Sequence, residues 1–391
     1  MKTQNPLSKI IRLKLYCSFL FVSILFSCNF LTAQENKDEF KPSGKVWGYA
    51  FGDFFYKADS DSAKYLNFGR GEFAKNKQND IAVTFRRIYL GYDYNISPNL
   101  FTNILLESND GILTGSGKRT VFVKSLFLEW KKIIPRASVF IGQSSTPTWP
   151  IISEPIWGLR NVEKTIADYR GFGGANDLGI RITGKFDTSG VFGYTLMWGN
   201  GKGDAPEVNV MKKVYASLDA RLFQKKLTIQ LQTDYEDAPA KQGSGYAAYQ
   251  TILGFISYQH EKFTVAMEGV YQTQQKAKIN KVESATDTIK DSAPFGLSVW
   301  AKANLNQKLT AFVRFDNFSP DINYKKGDNL KDPYNENFFT TGLDIAPHKN
   351  WHIIPNLWIN SYKDKRESTE TGYHARTADV VGRITFQYTF K

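Results

Sequence analysis

Thiols are nearly absent from this 391-residue chain: its two cysteines, Cys17 and Cys28, both lie in the first thirty residues. If that leader is removed, the rest can form neither a disulfide framework nor a thiolate metal centre. Only four histidines follow (His260, His348, His352 and His374), too scattered for a metal cluster, so neither metal nor cofactor is expected. After residue 31 there is no apolar run long enough for a membrane-spanning helix. Basic blocks are missing too. The formal net charge is +12, and removing the four basic residues of positions 1–33 leaves +8, a mild bias that excludes a nucleic-acid binder. What remains is unusual: aromatics supply 15% of residues although the mean hydropathy is negative. A membrane protein of that composition crosses with strands, which need be apolar only at alternate positions.

The leader itself reads as a secretory signal peptide. Lys2, Lys9, Arg12 and Lys14 precede an uncharged apolar stretch of seventeen residues from Leu15 to Leu31, and Ala33 supplies the small residue of a cleavage site. Cleavage there makes 1–33 the signal peptide, leaves Gln34 as the new N-terminus and 34–43 as a short polar lead-in. A rival cut before Cys28 is the poorer choice, because Phe26 is bulky and the apolar run continues past it. Export follows from either cut.

From Lys45 onward the pattern has period two. Val214, Ala216, Leu218, Ala220 and Leu222 alternate with Lys213, Tyr215, Ser217, Asp219 and Arg221. Val380, Gly382, Ile384, Phe386, Tyr388 and Phe390 alternate with Val381, Arg383, Thr385, Gln387 and Thr389. Sixteen strands are expected, beginning near Val46, Ile81, Leu100, Val121, Ala137, Asn176, Val191, Lys212, Leu227, Tyr249, Phe263, Pro294, Leu309, Asn337, Trp351 and Ala378. Their connections alternate between tight turns, such as Asp187-Thr188-Ser189-Gly190, and long polar loops over 57–80, 144–175, 273–293, 319–336 and 362–377. A soluble sandwich has no reason for that asymmetry, whereas a bacterial barrel has short periplasmic turns and long extracellular loops. The fold expected is therefore all-β, a single transmembrane antiparallel β-barrel over 44–391. Trp130, Tyr92, Tyr94, Tyr194, Trp198, Tyr235, Tyr258 and Tyr388 fall near strand ends, where aromatic girdles sit.

Sixteen tilted strands enclose a lumen that wall side chains alone do not fill. The inserted third loop, 144–175, is the segment suited to narrow it. Leu159, Val162, Ile166 and Tyr169 recur at helical spacing, Arg160, Lys164 and Asp168 occupy the opposite face with Glu163 beside them, and Gly171 stands at a helix C-cap position. Two placements stay open: a helix pressed on the inner wall with its charges toward the channel, or a loop that caps the mouth. The constriction candidates are Arg160, Glu163, Lys164, Asp168 and Arg170. Alternation points a further set inward, among them Arg87, Arg181, Lys185, Arg221, Arg314 and Arg383 as pore-lining cations, with carboxylates such as Glu107, Glu129, Asp219, Asp316 and Asp344 nearly matching them. Cross-strand ion pairs should follow from that balance. A ring of one sign, which would give strong ion selectivity, is not evident.

The stretch from Trp157 to Gly171, followed by Asp177-Leu178-Gly179, resembles the third-loop region of Gram-negative outer-membrane porins of the phosphate-selective type. Phe85-Arg86-Arg87-Ile88-Tyr89-Leu90-Gly91 is similar to their second strand. The resemblance implies a sixteen-stranded barrel, often trimeric, through which solutes pass passively. The function expected is an outer-membrane porin for small hydrophilic solutes with a weak preference for phosphate-like anions. Its partners would be those solutes and the surrounding lipid, with no nucleic acid.

Two other readings compete. An adhesion or structural barrel would use its outer loops as a binding surface and conduct little. An enzyme would need a rim nucleophile and base, for which His374 has only Ser368 and Asp379 nearby in sequence, so no catalytic residue is expected. An energised transporter of 22 strands with a plug would not fit in 391 residues.

Overall fold

Period-two alternation becomes strand register in the computed structural model, which describes residues 40–61, 73, 76–280, 287–330, 333–370, 373 and 377–391. The signal peptide, most of the lead-in 34–43 and His374 lie outside the described residues. The strands are β1 (Ser43–Asp59), β2 (Ile81–Ser97), β3 (Leu100–Asn109), β4 (Phe122–Ile134), β5 (Ala137–Ser145) and β6 (Asn176–Lys185). They continue as β7 (Phe192–Gly199), β8 (Lys213–Leu222), β9 (Leu227–Pro239), β10 (Tyr246–Gln259), β11 (Phe263–Asn280) and β12 (Thr288–Ser292). The last six are β13 (Phe295–Asn306), β14 (Leu309–Ser319), β15 (Asp328–Asn329), β16 (Tyr334–His348), β17 (Trp351–Asp364) and β18 (Thr377–Phe390).

β12 and β15 are short additions to the far end of β11, where Ile279 faces Ile289 on one and Asn329 on the other. The remaining sixteen form the wall. Each pairs antiparallel with its neighbour, and β18 returns to β1 with Gly48 opposite Phe390 and Phe54 opposite Ile384, so the barrel is closed and has no open edge. At this seam a Cβ on Gly48 would collide with the Phe390 ring, so only glycine lets the C-terminal aromatic lie across β1. All sixteen wall strands start within three residues of the positions read from the alternation. The expected loops prove too generous, because strand pairing continues into them: β11 runs on to Asn280 and β17 to Asp364.

The two faces of the wall differ as the alternation requires. Val214, Leu218, Leu231, Val299, Val313, Phe315 and Ile384 stand exposed on the outside, and Tyr92, Trp198, Tyr235, Tyr258 and Tyr388 join them. An apolar outer band of this kind is what lipid demands. No helix among the described residues is long and apolar enough to cross a membrane. Alternation fails where the wall bulges, as at Lys124 of β4, which reaches Glu107 at 3.3 Å, and in β2. A register shift between Phe51 and Gly52 of β1 makes Arg86 an extra residue in β2, and Arg86 turns inward together with Arg87.

Candidate channel constriction

Residues 146–175 connect β5 to β6 and fold into the barrel, not over its mouth. They contain two short helices, α1 (Ser153–Trp157) and α2 (Ile166–Tyr169). The cause is apolar burial. Trp149, Ile152, Trp157, Leu159, Val162, Ile166 and Phe172 form one cluster with Leu253, Phe255, Val270, Trp300, Phe312, Phe318 and Ile354 of the wall. Ring contacts fix the fit: Trp157 lies 5.0 Å from Trp300 and 6.2 Å from Phe312, and Phe172 lies 6.0 Å from Phe318. On the inner faces of β10, β11, β13, β14 and β17 the expected hydrophilic lining is thus replaced by an apolar seat for the loop.

The apolar side of the loop is the one its spacing indicates: Leu159, Val162, Ile166 and Tyr169 are all buried. The continuous helix expected there is absent, and only α2 forms. Wall side chains take the carbonyls that such a helix would use. Lys302 Nζ donates to the oxygens of Ile156 and Trp157 at 2.8 and 2.7 Å, Arg86 donates to Asn161 O, Arg383 to Val162 O, and Arg314 Nη1 to Lys164 O at 2.5 Å. From the other side, Ala167 N–H donates to the Glu268 carboxylate at 3.2 Å. Buried cations need compensation, and most of these have it: Arg314 makes a two-point contact with Asp316 at 2.8 and 2.6 Å, and Arg86 meets Asp53 at 2.5 Å. Four wall cations therefore fasten one stretch of loop backbone.

This arrangement sorts the five constriction candidates. Arg160 and Asp168 keep 15% side-chain exposure each and Lys164 is partly exposed, all on the side away from the seat. Glu163 and Arg170, at 1% and 3%, point the other way and do not face the channel. Glu163 accepts from Trp358 Nε1 at 2.9 Å, and Arg170 pairs with Glu336 at 2.5 Å. Both were misplaced because helical spacing was applied to a segment that turns where it would have to coil. Gly171 does occupy the left-handed position after α2, with φ of 70°.

One residue that the spacing did not reveal completes the exposed group. Glu154 in α1 and Asp168 in α2 both bind Arg160 Nη1, the latter at 2.6 Å. Its signal in the sequence is that it is the only charged residue between Thr146 and Leu159. Burial alone would raise the Asp168 pKa, but Arg160 and Lys164 outweigh it and hold that carboxyl at about 2. For Glu154 burial wins over the attraction of Arg160, and its pKa is raised. Arg160 is driven well above its ordinary value, the two carboxylates more than offsetting burial. With Lys164 the group carries two positive and two negative charges when ionised.

On the wall that the loop leaves open, Arg87 pairs with Glu107 at 2.6 Å and Lys185 with Asp219 at 3.1 Å; Arg221 lies 3.5 Å from Asp219. Arg181 stacks on the Phe140 ring at 3.7 Å, and among the described residues it has no recorded hydrogen bond or ion pair. Arg314 and Arg383 were expected to line the pore. They do point inward but lie buried beneath the loop, at 1% and 4%, so they hold the loop and do not meet the channel water.

The chain has structural counterparts among solved outer-membrane proteins. It is similar to the outer membrane channel DcaP of Acinetobacter baumannii, with a TM-score of 0.61 at 10% identity, over 92% of this chain and 100% of that one. The anion-selective porin from Comamonas acidovorans gives 0.57 at 13% identity, over 90% and 100%. Salmonella typhi OmpF in complex with daunomycin gives 0.57 at 11%, over 89% and 97%. The fold is that of outer-membrane porins. No family model matches the sequence. No curated protein matches it either.

Proposed function

We propose that this protein is a passive diffusion channel of a Gram-negative outer membrane, exported with residues 1–33 removed, that passes small hydrophilic solutes and is not an enzyme. The observation that carries the reading is the third loop: it lies inside a closed barrel, is fastened by wall cations, and turns Arg160, Glu154, Asp168 and Lys164 to the side left open. Fixed charges on an inserted segment sort solutes by charge and size without a moving part. An adhesin has no need of such a segment.

A weak anion preference fits the charges along the open wall. Lys131 lies over the Phe101 ring and Arg181 over the Phe140 ring, neither with a recorded ion pair among the described residues. Phosphate-like anions are the solute class that the resemblance suggests, and a homotrimer in lipid is the assembly in keeping with it. Proteoliposome swelling tests the reading: sugars and small organic anions should enter at rates falling with size, the anions faster at equal size. Liposomes that stay impermeable to all of them would overturn it.

A further inference from the structure

On the long-loop side of the third loop lies a cavity of about 480 Å³ that the channel reading leaves unused. Its floor is the end of the loop, Arg170 to Phe172, and its walls come from the far ends of β11, β12 and β14. Exposed Lys241 stands at its rim. The size is that of a small-molecule site.

The lining is one-sided. Among the described residues no carboxylate side chain lines it, so the lining favours an anion over a metal ion or an amine. A directed relay of hydrogen bonds runs through it instead. Lys241 Nζ donates to Gln274 Oε1 at 2.8 Å, Gln274 Nε2 donates to Gln272 Oε1, and Gln272 Nε2 donates to Phe172 O at 3.2 Å and Thr251 Oγ1 at 2.8 Å. Ser292 Oγ also donates to Gln274 Oε1, at 3.4 Å. The relay fills both lone pairs of the Gln274 oxygen and one of the Gln272 oxygen, and leaves the second N–H of Gln274 with no recorded partner among the described residues. The amide of Gln242 has no recorded side-chain partner among the described residues and offers both a donor and an acceptor. Donors with a positive rim and one free amide carbonyl match a carboxylate that carries hydroxyl groups.

We infer that this cavity binds a hydroxylated carboxylate of sugar size, a sugar acid, at the mouth of the channel. The carboxylate meets Lys241 and the amide N–H groups, and a hydroxyl donates to the Gln242 carbonyl. The inference rests on the channel reading for its purpose, capture before passage, but the binding can be measured without conduction. The test is saturation-transfer NMR and calorimetry on the full chain in detergent, with D-galacturonate as probe and D-galactose and inorganic phosphate as comparisons. Galacturonate should bind saturably, with galactose and phosphate each at least ten-fold weaker. Lys241→Met and Gln242→Leu should each weaken galacturonate about ten-fold or more, while unitary conductance in a lipid bilayer stays at the wild-type value. Equal binding of galactose, equal binding of phosphate, no saturable galacturonate binding, or variants that bind as the wild type does would each overturn the site. A silent bilayer with galacturonate binding intact would sink the channel reading and leave the site standing.

Discussion

Trp358 donates its indole N–H to the Glu163 carboxylate at 2.9 Å, so wall strand β17 holds the inserted loop from behind. Both groups are buried, and Glu163 Oε1 also accepts from the Lys164 N–H at 2.9 Å. A carboxylate that reading by helical spacing assigns to the channel is thus part of the fastening.

The first prediction concerns that carboxylate. Glu163→Ala leaves the Trp358 N–H buried without an acceptor and should cost about 1–3 kcal/mol. Glu163→Gln keeps an acceptor oxygen and should cost less. Denaturant unfolding in detergent, followed by tryptophan fluorescence, compares the two. An alanine variant as stable as the wild type would show that the contact holds nothing.

Packing beneath the loop gives the second. Trp157 is fully buried between Trp300 and Phe312. Trp157→Ala removes a large side chain from a close-packed seat and should cost about 3–5 kcal/mol. Current noise in single-channel records should rise with it, because the loop loses its largest anchor. Quiet, wild-type traces from that variant would argue against an apolar seat.

Charge selectivity supplies the third. Arg160→Gln removes the one cation between Glu154 and Asp168, so the reversal potential in a salt gradient should move toward cations. Asp168→Asn should move it toward anions. One unit charge at this range is worth about 1 kcal/mol, or roughly a five-fold change in permeability ratio. Shifts of the same sign in both variants would mean that the group does not face the permeating ions.

The fourth follows from acidity. Burial raises the Glu154 pKa, so this carboxyl takes up a proton before an ordinary glutamate does as pH falls from neutrality. Asp168, held at about 2 chiefly by Arg160 and Lys164 against its burial, stays ionised over that range. The group therefore gains one positive unit, and anion preference should grow as the solution is acidified toward pH 4. Glu154→Gln should abolish the change. For stability the signs differ. The depressed Asp168 contributes stability that is present above its ordinary 3.8 and lost as pH falls through about 2. The raised Glu154 opposes folding near neutrality and ceases to do so once protonated.

The barrel was legible because lipid imposes a strict alternation, and strand starts such as Ile81, Leu100 and Phe263 coincide with it. Arg86 escaped the same rule, since a bulge and not the strand period turns it inward; two adjacent arginines in an alternating strand were the only trace. The apolar seat also left a trace, in strands that are apolar on both faces, as Ile252-Leu253 and Phe255-Ile256 are in β10. That trace had no meaning until the loop supplied its other half. Arg314 and Arg383 were placed on the right face of the wall, but burial beneath a segment distant in sequence is a tertiary fact that periodicity does not carry.

The central claim is that an inserted, fastened loop narrows a water-filled barrel. Single-channel recording of the full chain, with and without residues 162–170, measures it most directly. The account predicts stable stepwise currents from the intact protein and a larger unitary conductance after the deletion. A membrane that never conducts, or a conductance that the deletion leaves unchanged, would contradict it.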